Sequence, residues 1–307
     1  MSTYMQSMLI FTLIICITVC GLYIMTGLTG MFSMGSAAFM AIGAYTGGLL
    51  CVKAGLGKGA VKTIGDAFVP YLGFIGCIVA SILIACILGY LIGSPIIRLR
   101  RDYFTLVTLG FGEAIIAFLN QAVDITGGAM GIIGISRRTN LVVALIATVI
   151  AIIFARNFRH SRFGRQAMAV RGDELAAKSM GISVANTKMR SFLVAASFAA
   201  VAGCLYAFYI RYADPTLFNW QKSGEWVIMV FFGGVNSLTG SIFATFLLNF
   251  LPQVLNSLYQ YRLLIYSALV LITINFKPDG LFGHTELSDL IKMAINKIKN
   301  PKKKGAN

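Results

Sequence analysis

The sequence predicts an all-α polytopic membrane protein of about 8–10 transmembrane helices, from the number of apolar runs near 20 residues that it holds. Composition agrees: 57% of the 307 residues are hydrophobic and 12% are charged, with a mean hydropathy of +0.79. Soluble domains carry about 25% charged residues. The net charge of +15 is also not spread evenly. Eight Lys/Arg fall between Arg156 and Arg190, and six more near the C-terminus (Lys292, Lys297, Lys299, Lys302, Lys303, Lys304). Both clusters abut apolar runs, where basic residues fix topology and meet anionic lipid headgroups rather than nucleic acid.

The first apolar run, Met8 to Met25, has no charged segment before it. It exceeds the roughly 7–15 residues of a signal-peptide core, so it reads as a retained span over 5–25. Further spans are predicted at 31–52, 69–94, 102–122 and 139–155. The basic island 156–190 then faces the cytoplasm, as loops rich in Lys and Arg do. Beyond it come spans at 190–211, 225–236, 239–256 and 259–276. The 225–236 run is short and carries Gly233-Gly234, which suits a half-helix or a tilted segment. If the island and the Lys-rich tail share one side, the chain between them crosses an even number of times, so this short run is counted as a crossing. Five spans before the island put the N-terminus outside, and a tenth crossing in the Gly-rich 27–60 stretch would reverse that end. The chain thus divides into one membrane domain, 1–290, and a basic cytoplasmic tail, 291–307.

Glycine crowds the second span at Gly27, Gly30, Gly35, Gly43, Gly47 and Gly48, with Ser33 and Ser36 among them. Small residues four apart let helices approach closely in lipid, and the same wall could line a pathway. Glu113 is the sole acid well inside an apolar run. A carboxylate at that depth faces a cavity or a partner, pairs with an Arg, or caps a broken helix. Thr126-Gly-Gly-Ala-Met-Gly-Ile-Ile-Gly134 reads as a tight turn or re-entrant element. It lacks the preceding strand and the Lys-Ser/Thr of a phosphate loop. The six cysteines form no Cys-x-x-Cys pair and there are two histidines, His160 and His284, so the cysteines read as packing residues without a metal.

Inside the island, Asp173 and Glu174 open a helical run, Lys178 follows and Gly181 closes it. Ala176, Ala177 and Met180 leave that run a small, smooth face. Glu174-Leu-Ala-Ala-Lys-Ser-Met-Gly181 resembles the cytoplasmic coupling loop of ABC-importer permeases, in the form found in permeases for branched-chain amino acids. The resemblance extends along the chain. Gly27-Leu-Thr-Gly-Met-Phe-Ser-Met-Gly-Ser-Ala-Ala-Phe39 and Ile42-Gly-Ala-Tyr-Thr46 are similar to that family's second-span signature. Arg98-Leu-Arg-Arg-Asp-Tyr-Phe104, Thr108-Leu-Gly-Phe-Gly-Glu113 and Thr126-Gly-Gly128 resemble its LivM branch. Phe231-Phe-Gly-Gly-Val-Asn-Ser-Leu-Thr-Gly240 and Lys277-Pro-Asp-Gly-Leu-Phe-Gly283 are similar to its last third. Met130 and Ser36 depart from the family, which often has a polar or acidic residue at the first position and a polar ring or amide at the second.

The resemblance implies a permease subunit for leucine, isoleucine and valine in the inner or plasma membrane of a bacterium or archaeon. It implies no catalytic residue, metal or cofactor in this chain, since G-x-x-x-x-G-K-[ST] is absent and ATP and Mg would belong to separate ATPases. The implied partners are a second homologous permease in a heterodimer, two cytoplasmic ABC ATPases, an external substrate-binding protein and the lipid bilayer. Gly164, Arg165, Arg171, Asp173, Glu174, Ala177 and Gly181 are the expected ATPase-coupling residues. Ser33, Gly35, Ser36, Glu113, Thr126, Gly127 and Gly128 are the candidates for the translocation path. The alternatives are an ABC permease for urea, amides or other amino acids, and an ion-coupled secondary transporter, which usually places titratable residues at broken helices near the midplane.

Overall fold

A computed structural model describes residues 3–53, 64–97 and 101–254, together with 267–268, 271, 275–276, 280–281 and 283. The chain forms two compact units, Met1–Ile228 and Met229–Asn307. In the first unit, α1 (Thr3–Leu22) continues into a π-helical turn, Tyr23–Leu28, in which every residue is buried. The backbone then leaves helical geometry and re-enters it at α2 (Ser36–Val52). The expected start of this span at 31 is therefore five residues early. Gly30 takes the left-handed conformation at φ +69°. The Thr29 hydroxyl donates to the Met25 carbonyl and the Ser33 hydroxyl accepts from the Gly35 N–H. The Ser33 oxygen thus takes a backbone N–H that a continuing helix would have used.

α3 (Ile64–Ile96) and α4 (Arg101–Gln121) follow, then a short α5 (Val123–Thr126), a 3₁₀ turn and the two-residue β1 (Ile132–Ile133). α6 (Leu141–His160) runs past the predicted end at 155, so Arg159 and His160 sit in its last turn, where the helix dipole favours cations. α7 (Arg162–Gly172) and α8 (Glu174–Ser179) form the island. α9 (Val184–Ile210) climbs back to β2 (Tyr212–Ala213), which pairs antiparallel with β1. This small clasp is the strand pairing that the described residues add to an otherwise helical chain. α10 (Trp220–Gly233) starts five residues before its predicted run and ends three before it. Its 14 residues span about 21 Å, short of a full crossing.

The first unit is arranged around α9. A Cβ on Gly43 would overlap the Ala200 carbonyl, and one on Gly203 would overlap the Met40 carbonyl. Phe39 packs on Phe192 and Gly47 faces Cys204, so the pairs 39 with 192, 43 with 200 and 47 with 204 show α2 and α9 side by side in the same direction. The predicted small-residue stripe of α2 is therefore packing, and its residues from Ser36 to Gly48 are all buried. On α1, Phe11 meets Tyr206 and Tyr209 while Gly21 meets Ala195, so α1 runs opposite. Gly89 and Gly93 of α3 meet Leu193 and Phe192, also opposite to α9. α4 runs with α2: the Thr105 hydroxyl donates to the Phe32 carbonyl (3.1 Å), the Thr108 hydroxyl accepts from the Met34 N–H (3.2 Å), and Phe111 packs on Phe39. Alternating directions are what successive membrane crossings require. α1 buries 78% of its most apolar 18 residues and α9 56%, whereas α3, α4 and α6 each bury 22%.

In the second unit, α11 (Leu238–Val254) follows a tight turn in which Gly234 has φ +113° and Gly233 lies against the backbone of Gly240 and Ser241. The Leu281 N–H donates to the Phe232 carbonyl (2.9 Å). The predicted span 259–276 lies largely outside the described residues, and the tail 291–307 and the boundary at 290 lie wholly outside them.

Candidate functional site

The island is built from caps. Ser161 accepts from the Gly164 N–H (3.2 Å) to start α7, and a Cβ on Gly164 would overlap the Phe158 and Arg159 carbonyls, so the turn from α6 requires glycine there. Arg165 donates to the His160 carbonyl (2.7 Å) and closes the same corner. The island holds two helices, and the run expected to open at Asp173 and Glu174 is the second of them. Asp173 adopts extended backbone (φ −150°), and its carboxylate accepts from the Leu175 and Ala176 N–H groups at 2.8 and 3.2 Å. An aspartate N-cap starts a new helix more readily than it continues an old one. Gly181 ends α8 at φ +78°, as its position suggested.

α8 is oriented as firmly as it is capped. Ala177 is buried and its carbonyl accepts from the Ile182 N–H. Glu174 pairs with Lys188 on α9 at 2.7 Å, and Lys188 is itself buried. Leu175 on α8 and Met180 at its C-cap are 80% and 81% exposed. Leu175 was not among the sequence candidates, yet the signal was there. Residues two apart in a helix do not share a face, so a buried Ala177 puts Leu175 outward.

The second cluster surrounds the break between α1 and α2. Ser33, Gly35 and Ser36 are buried there. The first turn of α2 draws its cap from far along the chain, since Ser223 on α10 accepts from the Ala37 N–H at 2.9 Å. Gly35 fits because a Cβ would press on the Thr108 carbonyl of α4. Position along α9 gives the depth. Gly43 lies opposite Ala200, so α2 starts roughly ten residues, about 15 Å, into α9. Non-helical backbone at membrane depth is tolerated where protein buries it, as here.

Glu113 belongs to neither cluster. It lies midway along α4, on its exposed face, with no ion pair among the described residues. It caps no broken helix, so the expected Arg pairing and capping role are both absent there. Around it the outward face of α4 holds Gly110, Ala114, Ala117 and Gln121. Thr126, Gly127 and Gly128 serve the end of α4. The Thr126 hydroxyl donates to the Leu119 carbonyl (2.7 Å) and accepts from the Gly128 N–H (3.2 Å). Gly127, Gly128 and Gly131 all have positive φ, which the turn into β1 demands. Among the described residues, no three His, Cys, Asp or Glu stand together as a metal site.

A family model described as the branched-chain amino acid transport system / permease component matches residues 4–274. The high-affinity branched-chain amino acid transport system permease protein LivM of Escherichia coli (strain K12) is 30% identical over 308 residues, covering 89% of this chain and 69% of that protein. The probable branched-chain amino acid transport permease protein LivM of Methanocaldococcus jannaschii is 24% identical over 69% of this chain and 70% of its own. The LivH permease protein of Salmonella typhimurium is 25% identical, covering 85% of this chain and 88% of that protein. A solved structure, PsaBC from Streptococcus pneumoniae in complex with Fab, aligns over 89% of this chain and 91% of that one, with 19% identity and a TM-score of 0.47.

Proposed function

This chain belongs to the family of branched-chain amino acid transport permease components, and from that premise we propose that it is the LivM-like membrane subunit of an ATP-driven importer of leucine, isoleucine and valine. Its likeness to both LivM and LivH proteins supports pairing with a second permease of the same descent. ATP and its Mg belong to two cytoplasmic ATPases, and an external binding protein delivers the amino acid. The complex sits in the bacterial inner membrane.

The observation that carries the reading is α8: a helix capped at both ends, pinned to α9 by Glu174–Lys188, and presenting Leu175 and Met180 outward. On a lipid-facing helix such side chains need no explanation. On a short polar helix at the basic end of the bundle they call for a partner with an apolar groove, and a helix laid into a groove is a common mode of docking. ATPase closure then moves α7 and α8 as one body. The outward face of α4, with Glu113 at its centre, lines the route between the two permeases, and Ser33, Gly35 and Ser36 at the broken helix form the part that changes access.

The test is reconstitution in proteoliposomes with the ATPases, the second permease and a leucine-loaded binding protein. Leucine-stimulated ATP hydrolysis and uptake are expected. Leu175→Asp should abolish both and release the ATPases, while leaving the permease folded. Uptake by this chain alone on an ion gradient would contradict the reading, and stimulation by urea in place of leucine would redirect the substrate.

A further inference from the structure

The carbonyls at the end of a helix need partners from outside it. At the end of α1 the Thr29 and Gly30 N–H groups turn back to Met25 and Thr26. The Gly27 carbonyl is taken instead by the guanidinium of Arg171, 144 residues away in the last turn of α7. Arg159, at the end of α6, and Arg171 both lie close enough to Tyr23, at the start of the same π-turn, to act on it electrostatically. Two cations therefore close on the negative end of α1, where the helix dipole favours them.

The position of Arg171 sets it apart from an ordinary cap. It lies two residues before Asp173, the N-cap of α8, and it holds a backbone atom two residues before Thr29, where α1 gives way to irregular chain. The island thus has two attachments to the bundle. Glu174 reaches Lys188 on α9, a continuous 27-residue helix packed along its length. Arg171 reaches the break, where backbone groups are held by single side-chain hydroxyls from Ser33, Thr105, Thr108 and Ser223. One attachment is to a continuous helix and the other to a stretch of core without helical hydrogen bonds.

Resting on the importer reading, we propose that Arg171 is the positioning residue that carries movement of the docking helix to the break between α1 and α2, and so to the start of α2 at Ser36. A shift of α7 and α8 against α9 pulls on Gly27, and the irregular stretch to Gly35 absorbs the change while α2 and α9 stay packed. Arg171 on this view does not hold the ATPases.

The experiment compares wild type, Arg171→Gln and Arg171→Lys in the reconstituted importer, reading ATPase retention, ATP hydrolysis and uptake separately. Arg171→Gln should keep the ATPases bound and hydrolysing while uptake per ATP falls at least about fivefold, the lower end of a coupling interaction between two states. Arg171→Lys, which restores a charged donor, should recover part of that ratio. Loss of ATPase binding, or an unchanged ratio of uptake to hydrolysis, overturns the inference. A wild type without leucine-stimulated hydrolysis would instead sink the importer reading. If Arg171→Gln does not assemble, Met34→Cys in the otherwise wild-type chain decides: labelling by a water-soluble maleimide should change on ATP hydrolysis, and an unchanged rate overturns the inference.

Discussion

α4 and α6 leave the same share of their apolar cores uncovered, yet they offer different surfaces. α6 shows Val142, Leu145, Ile146, Val149, Ile150 and Ile153, a continuous branched aliphatic face. α4 shows Leu106, Val107 and Phe118, but among them on the same face lie Gly110, Glu113, Ala114, Ala117 and Gln121. The exposed face of α3, from Leu72 through Val79 to Ile87, matches α6. Lipid is a good solvent for α3 and α6. It is a poor one for α4, because a charged side chain at the bilayer centre costs about 3 kcal/mol even on the mildest scales. Small residues on a helix surface gain nothing from acyl chains but allow another helix to come close. Equal exposure in a single subunit therefore hides two destinations, bilayer for one face and partner or water for the other.

Placing a carboxylate on each face makes the sharpest break. Ile150→Glu should lower the amount of folded protein in the membrane by about a hundredfold, the factor that corresponds to roughly 3 kcal/mol. Ala114→Glu, one residue from Glu113, should change that amount less than about threefold when the second permease is co-expressed. Equal losses measured by quantitative immunoblotting would erase the distinction. A smaller effect is expected from bulk. A Cβ on Gly110 meets nothing within 4 Å, so Gly110→Leu should leave the subunit's thermal stability unchanged. It should nonetheless weaken co-purification of the second permease by about tenfold, an interface loss of roughly 1.4 kcal/mol. Val149→Phe on α6 should do neither. Smaller again, Glu113→Gln should keep expression and assembly while slowing uptake by about threefold to tenfold, as removal of one charged contact on the path would. An unchanged uptake rate would leave Glu113 at the permease interface alone.

The two candidate clusters were not equally legible. α8 could be read in detail because its boundaries are local: Asp173 bonds to N–H groups two and three residues on, and Gly181 supplies its own left-handed turn. The break before α2 was less legible, because Gly30 and Ser33 act locally but most of its causes are distant. Met31 to Phe39 is apolar enough to pass for helix, and what holds it open comes from Thr105, Thr108 and Ser223 on other elements. Glu113 falls between. Its depth was plain from its apolar surroundings. Its direction was also encoded, since Phe104, Thr108, Gly112 and Leu119 are the buried face of α4 at helical spacing and leave Glu113 outside. The division of α7 from α8 was legible in the same way as α8 itself, because Gly172-Asp173 suits a helix interior poorly and the Asp173 cap commits the chain to a restart.

Solvent access separates a face of α4 that lines an aqueous route in the assembled transporter from a face of α6 that meets lipid. Single cysteines at Ala114 and Ile150, each in the complex with its partners, can be offered a charged, water-soluble thiol reagent and an uncharged, lipid-soluble one. The prediction is that Ala114→Cys reacts with the water-soluble reagent at a rate that changes when ATP is hydrolysed, whereas Ile150→Cys reacts with the lipid-soluble reagent alone. If both positions react only from the lipid, α4 carries no path, and the role given to Glu113 is wrong.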